Sequence, residues 1–199
     1  MSTNIPPGIS VIQEHLLLTS YGRIHLVDFK QLGVTLLIDA TNESGAAYEL
    51  ETDRRGIQTW RVNVNDNENA PIHEHFDVVA DKIERERISG GKTMVFCGWG
   101  VSRSATLCIA YLVKHQNMPL SVAYRHCKTI RPMIDPNHGF WRQLIAYERK
   151  IRGKNSVQMT VKGHNFFGQP NIDFEMNNGD CDICDTNRTS APHRSVSST

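Results

Sequence analysis

No apolar run in this chain is long enough to cross a bilayer. The longest, around Leu107 to Val113, has about eight residues, whereas a membrane helix needs roughly 20. An excess of charge of either sign is missing too. The net charge of +1 gives no electrostatic case for nucleic acid or an acidic membrane surface, so anion recognition has to be local. The opening stretch MSTNIPPGISVIQEH lacks a basic start, a long apolar run and an initiating Met-Gly, so neither a secretory signal nor myristoylation is expected. The cysteines Cys97, Cys108, Cys127, Cys181 and Cys184 are odd in number and unevenly spaced. That pattern argues against a secreted disulfide framework and for a reducing compartment. No internal repeat is visible. The expectation is a soluble, cytoplasmic chain without a transmembrane segment, with the nucleus as a second compartment.

What is present suits one domain: 199 residues, of which 39% are apolar, enough for a single ordinary core. After an N-terminal arm over residues 1–8, Ile9–Ile12 and His15–Leu18 read as short strands and Ser20–Leu32 as a helix stopped at Gly33. Val34–Asp39 is a compact apolar run of the kind a buried parallel strand shows. Residues 42–56 read as a polar loop, and Ile57–Val64 alternates as a strand. Pro71 opens a helix that carries Ile72, Phe76, Val79 and Ile83 and ends at Gly90-Gly91. Lys92–Cys97 is a central strand, Ser102–His115 a strongly apolar helix, and two more helices start near Pro119 and Asn137. Strands alternating with helices predict an α/β domain with a mostly parallel sheet. The expected domain spans residues 9–160. A polar tail over 161–199, rich in Asn, Gly, Ser and Thr, is expected to be disordered.

One stretch carries chemistry. In MVFCGWGVSRSAT an apolar strand runs into a glycine-bearing loop and then into the first turn of a helix. Cys97 opens the loop, and Arg103 closes it after five intervening residues. Backbone amides at a helix N-terminus form an anion site. Gly98 and Gly100 let the backbone curl, so the amides over Gly98, Trp99, Gly100, Val101, Ser102 and Arg103 could line a phosphate nest, with the Arg103 fork holding two oxygens. A cysteine at the floor of such a site sits in positive potential. A free thiol with a pKa of about 8.5 is only slightly ionised at pH 7, and lowering that pKa by about two pH units takes roughly 2.7 kcal/mol. Attack on a phosphomonoester would then give a cysteinyl-phosphate, with Ser104 placed to hydrogen-bond the departing sulfur. A proton donor for the leaving oxygen is worth about 10²–10⁴-fold. Asp66 is the best candidate, with Glu68 and Asp77 as rivals, if its loop leaves the same sheet edge as Cys97.

Cys97-x5-Arg103-Ser104, within VFCGWGVSRSATLCIAYLVK, resembles the signature of cysteine-based protein tyrosine phosphatases, and in particular the small atypical dual-specificity phosphatases. VNVNDNENAPIHEHFDVVADKI and RPMIDPNHGFWRQLIAYE extend the likeness over about residues 9–160, and GKNSVQM resembles one small subgroup. The resemblance implies a phosphatase-like α/β fold, with the phosphate loop between a strand and a helix. It also implies Cys97 as nucleophile, Arg103 as phosphate ligand, Asp66 as general acid/base and Ser104 as leaving-step helper. No metal or organic cofactor is needed. The expected partners are phosphorylated proteins, signalling kinases among them. Hydrolysis of phosphotyrosine, and of phosphoserine and phosphothreonine, is the expected reaction.

Two positions depart from the family pattern. Phe96 stands where a histidine usually precedes the nucleophile. The histidine's hydrogen bonding is therefore lost, and a less acidic Cys97 is expected. Trp99 is bulky where small residues are common. A catalytically impaired chain that binds phosphoproteins is thus the alternative reading. Loop lysines, absent here, would have favoured a lipid phosphatase, and a sulfurtransferase would leave the Asp66 loop without a role. Asn137 is read as a supporting residue, Asp135 as a rim charge unfavourable to acidic substrates, and Arg54-Arg55 as a solvated pair. Cys108 and Cys127 sit in apolar helical patterns and read as inert core. Cys181 and Cys184 supply only two of the four ligands of a zinc site, so no metal is expected.

Overall fold

The computed structural model describes residues 5–42, 56–164 and 170–176. Its centre is β5 (Lys92–Cys97), whose Met94, Val95, Phe96 and Cys97 are all buried. On one side β5 pairs in parallel with β2 (Leu16–Ser20), and on the other with β3 (Val34–Asp39). Outside these lie β1 (Ser10–Gln13), antiparallel to β2, and β4 (Gln58–Arg61), parallel to β3, giving the order β1-β2-β5-β3-β4. The register sets Ser20 beside Cys97 and Asp39 beside Phe96. The carboxyl ends of β2, β3 and β5 therefore meet at one edge, where open α/β sheets gather ligands.

Side chains along a strand alternate between the faces, and here the faces belong to different cores. Val95 and Cys97 join the larger cluster, under α3 (Phe76–Ile88), α4 (Arg103–His115), α5 (Leu120–Ile130) and α6 (His138–Arg152). Met94 and Phe96 join the smaller one, with Ile24 of α1 (Tyr21–Ile24) and Phe29 and Leu32 of α2 (Phe29–Leu32). Every residue of α4 from Ser104 to Val113 is buried, which explains why this helix reads apolar all round. Glu148 of α6 is also buried. Its carboxylate accepts from the amides of Leu120 and Ser156 and from the Ser156 hydroxyl, and so fixes the start of α5.

Several elements differ from the sequence reading. The single helix expected over Ser20–Leu32 is two one-turn helices, because Asp28 caps the amide of Gln31 and starts a new turn. Strand pairing in 57–64 stops at Arg61, although Val62 and Val64 stay buried and the Val62 amide still reaches the Asp39 carbonyl. Between Pro71 and α3, Ile72–His75 forms a 3₁₀ turn. The boundary expected at residue 160 falls inside β6 (Val157–His164), which pairs antiparallel with β7 (Pro170–Met176). This hairpin has a reason to exist: Met159, Phe174 and Met176 pack on the larger core, and the Phe174 ring lies 4.5 Å from that of Trp141. Arg54, Arg55, Cys181 and Cys184 lie outside the described residues.

Candidate active site

β5 ends at Cys97 and α4 begins at Arg103, so the connecting loop opens at the sheet edge described above. Gly100 makes its turn with φ +67, and a Cβ there would come within 2.5 Å of the Thr19 carbonyl oxygen. A side chain is thus ruled out both by backbone conformation and by space. Four successive loop carbonyls, from Trp99 to Ser102, are engaged. Those of Trp99 and Gly100 accept from Arg131, that of Val101 from the Asp135 amide, and that of Ser102 from Thr106. The amides of Gly98 to Arg103, by contrast, donate to no acceptor among the described residues. Carbonyls tied back and amides left unused are what a phosphate nest requires.

Cys97 is 1% exposed, and its sulfur lies 3.1 Å from the hydroxyl of Ser104, a fully buried residue. Arg103 donates from Nη1 to the Val64 carbonyl at 3.3 Å. Its Nε is buried 3.7 Å from Asp66 Oδ2, beyond hydrogen-bond range, and has no hydrogen-bond partner. A guanidinium with a donor unused inside the protein fits bidentate recognition of an oxyanion. Asp66 is brought to the same loop: its Oδ1 accepts from Ser102 Oγ at 2.7 Å and from Asn137 Nδ2 at 3.0 Å. Its side chain is 35% exposed, within reach of solvent. Cys97, Arg103, Asp66 and Ser104 therefore share one site. Together they provide a sulfur nucleophile, a cationic fork, a carboxylate and a hydroxyl, the set that phosphoryl transfer through a thiol needs.

The rivals of Asp66 are engaged elsewhere. Glu68 pairs with His138 and Arg142 of α6, and Asp77 with Lys114, Lys150 and the Tyr147 hydroxyl. Asn137 does more than support the fold. Its Oδ1 caps α6 through the Phe140 amide while its Nδ2 holds Asp66. Trp99 turns outward at 80% exposure, and Phe96 is wholly buried on the other face of the sheet. Asp135 meets the loop through its amide, which bonds the Val101 carbonyl. Burial pushes the Cys127 thiol up to about 12 and the Cys108 thiol well above its ordinary value. Both are therefore held as neutral core thiols. No cluster of three or more potential metal ligands occurs among the described residues.

Sequence reasoning missed two residues. Gly139 lets the start of α6 touch the Asp66 loop, since a Cβ there would overlap the Glu68 carbonyl. A glycine in the first turn of a helix was the available signal. Arg131 is 7% exposed and donates to the Gly100 carbonyl of the loop between Cys97 and Arg103. Its only sequence signal was a basic residue just before the Pro132 turn.

Comparison with known proteins agrees with this geometry. The family model described as dual specificity phosphatase, catalytic domain, matches residues 16–150. Human dual specificity protein phosphatase 14 is 54% identical over 127 residues, covering 64% of this chain and 62% of the relative. Human dual specificity protein phosphatase 18 is 47% identical over 103 residues, covering 52% and 55%. The chain thus spans less than two thirds of the length of these curated relatives. The crystal structure of human DUSP28 superimposes with a TM-score of 0.68 at 28% identity, covering 76% of this chain and 99% of that one. With its matched segment containing the loop, Asp66 and Asn137, the chain belongs to the dual specificity phosphatase catalytic-domain family.

Proposed function

We propose that this chain is a protein phosphatase that hydrolyses phosphotyrosine, phosphoserine and phosphothreonine through a cysteinyl-phosphate. The Cys97 thiolate attacks phosphorus, the bond to the leaving oxygen breaks, and that oxygen takes its proton from Asp66. Water then attacks the phosphocysteine and gives a proton back to Asp66. The S–P bond breaks as Ser104 donates to the departing sulfur, and inorganic phosphate leaves. Arg103 and the loop amides hold the non-bridging oxygens throughout. The observation that carries this reading is the hydrogen bond from Ser102 Oγ to Asp66 Oδ1 at 2.7 Å. It brings a carboxylate 36 positions away in sequence to the loop that begins at Cys97.

The substrates are phosphorylated proteins, with signalling kinases as one class, and the working compartment is the cytoplasm or nucleus. No helix among the described residues is long and apolar enough to cross a membrane. The test is hydrolysis of an aryl phosphate and of phosphopeptides. Wild type turns over, Cys97→Ser does not, and Asp66→Asn is slowed by about 10²-fold or more. Turnover that survives in Cys97→Ser overturns the mechanism. A wild type that binds phosphopeptide without turnover establishes the binding module instead.

A further inference from the structure

We propose that Arg131 is a positioning residue of the phosphate site, holding the carbonyls of Trp99 and Gly100 behind the loop so that its amides face the phosphoryl group. This role deepens the phosphatase reading and rests on it. The residue sits just past α5, outside the Cys97-to-Arg103 loop, and no property of the loop motif calls for it.

The geometry is that of a clamp. Nε donates to the Gly100 carbonyl at 2.8 Å and Nη2 to the Trp99 carbonyl at 3.4 Å. Nη1 reaches the Gly8 carbonyl at 3.2 Å and the Ser10 hydroxyl at 3.3 Å. All three guanidinium nitrogens are therefore used, at 7% exposure. Desolvating an arginine is costly unless its donors are satisfied in this way. The loop needs such a clamp because of its own glycine. Gly100 is required at φ +67, but a residue without Cβ also lets the adjoining peptide planes rotate freely. A rotated plane would point a carbonyl oxygen at the phosphoryl oxygens, turning an attractive dipole into a repulsive one. A planar fork holding two successive carbonyls prevents that. An ammonium, which is a point donor, can hold one firmly but does not fix the relative orientation of both.

Burial lowers the pKa of Arg131, and the hydrogen bonds made by all three nitrogens offset that desolvation. Arg131 therefore acts on the site through hydrogen-bond geometry, which a planar fork supplies and a point charge does not.

Arg131→Met removes both the fork and the charge, and Arg131→Lys keeps the charge without the fork. Inorganic phosphate binding is measured by calorimetry, and kcat and KM with an aryl phosphate. Arg131→Met is expected to weaken phosphate binding and lower kcat/KM by about tenfold to a hundredfold. Arg131→Lys is expected not to restore the phosphate affinity. Phosphate affinity within twofold of wild type in Arg131→Met, with only a lower melting temperature, would overturn the proposal. If Arg131→Met does not fold, Arg131→Lys decides alone, and wild-type phosphate affinity in it overturns the clamp. Absent turnover in wild type sinks the phosphatase reading, whereas the calorimetry still decides the role of Arg131.

Discussion

Phe96 and Cys97 are consecutive residues of β5, yet they belong to different environments. Cys97 faces the helix-covered side, where its sulfur meets Ser104 and the site is closed by Asp66, Ser102, Asn137 and Arg103. Phe96 faces the side of α1 and α2, among Leu17, Ile24, Val27, Phe29, Leu32, Val34, Leu37 and Met94. The first environment is a network of polar groups with few spare partners, and the second is hydrocarbon. The residue before Cys97 therefore belongs to the back of the sheet and not to the site. Its ring packs the back of the strand that carries the sulfur. A histidine at 96 would have to desolvate its imidazole in that apolar layer or find a backbone partner from within it.

If the two faces are separable, substitutions on one should cost stability and on the other rate. The largest expected effect is Phe96→Ala, which opens a cavity in the smaller core and lowers stability by about 3–5 kcal/mol. Chemical denaturation measures that, and kcat of the folded fraction should change by less than about threefold. A loss of rate as large as the loss of stability would break the separation. On the other face, Ser104→Ala removes the hydroxyl that lies 3.1 Å from the sulfur. The expectation is a kcat lower by about tenfold to a hundredfold, preceded by a burst of released aryl alcohol as phosphocysteine accumulates. A steady rate without a burst would place the hydroxyl's effect in the first step instead.

The helix side also has a solvent-facing layer that sharpens the comparison through pH. Asp77 accepts from Lys114, Lys150 and Tyr147, and the lysine partners hold its pKa well below the ordinary 3.8. A depressed carboxylate contributes stability that is fully present above its unfolded pKa and is lost as pH falls toward the folded one. Wild-type stability should therefore decline as pH drops below about 4, and Asp77→Asn should flatten that decline. The side chain is 46% exposed, so solvent screening limits the cost at neutral pH to about 1 kcal/mol. A pH-stability curve unchanged by the substitution would show that solvated lysines offer Asp77 nothing beyond water.

The separation of faces also explains what the sequence could and could not reveal. β5, the loop and α4 were legible because burial, glycine and an all-round apolar helix coincide in one continuous stretch. Asp66 needed a second inference, that its loop leaves the same sheet edge as Cys97. Arg131 and Gly139 left only weak local signals, a basic residue before the Pro132 turn and a glycine in a helix's first turn, because their partners Gly100 and Glu68 are distant in sequence. β7 had a readable alternation in Ile172, Asp173, Phe174, Glu175 and Met176, but polar composition around it outweighed the period-two pattern. The break between α1 and α2 turned on a single cap, Asp28, too local a feature to show through helical spacing.

Trp99 belongs to neither face, and it tests where the comparison ends. Its carbonyl is tied to Arg131 but its ring is 80% exposed, so truncation removes little buried area. Trp99→Ala should leave stability within about 0.5 kcal/mol. The ring nevertheless projects from the loop that begins at Cys97, and an aromatic pair contributes about 0.5–1.5 kcal/mol beyond area burial. A phosphotyrosine ring leaving the loop can meet the indole; a phosphoserine side chain offers no such surface. The expected outcome is a threefold to tenfold loss of kcat/KM for phosphotyrosine peptides, with phosphoserine peptides unaffected. Equal losses on both would mean that the indole acts on the backbone of the loop, and Trp99 would then join Arg131 as part of the same clamp.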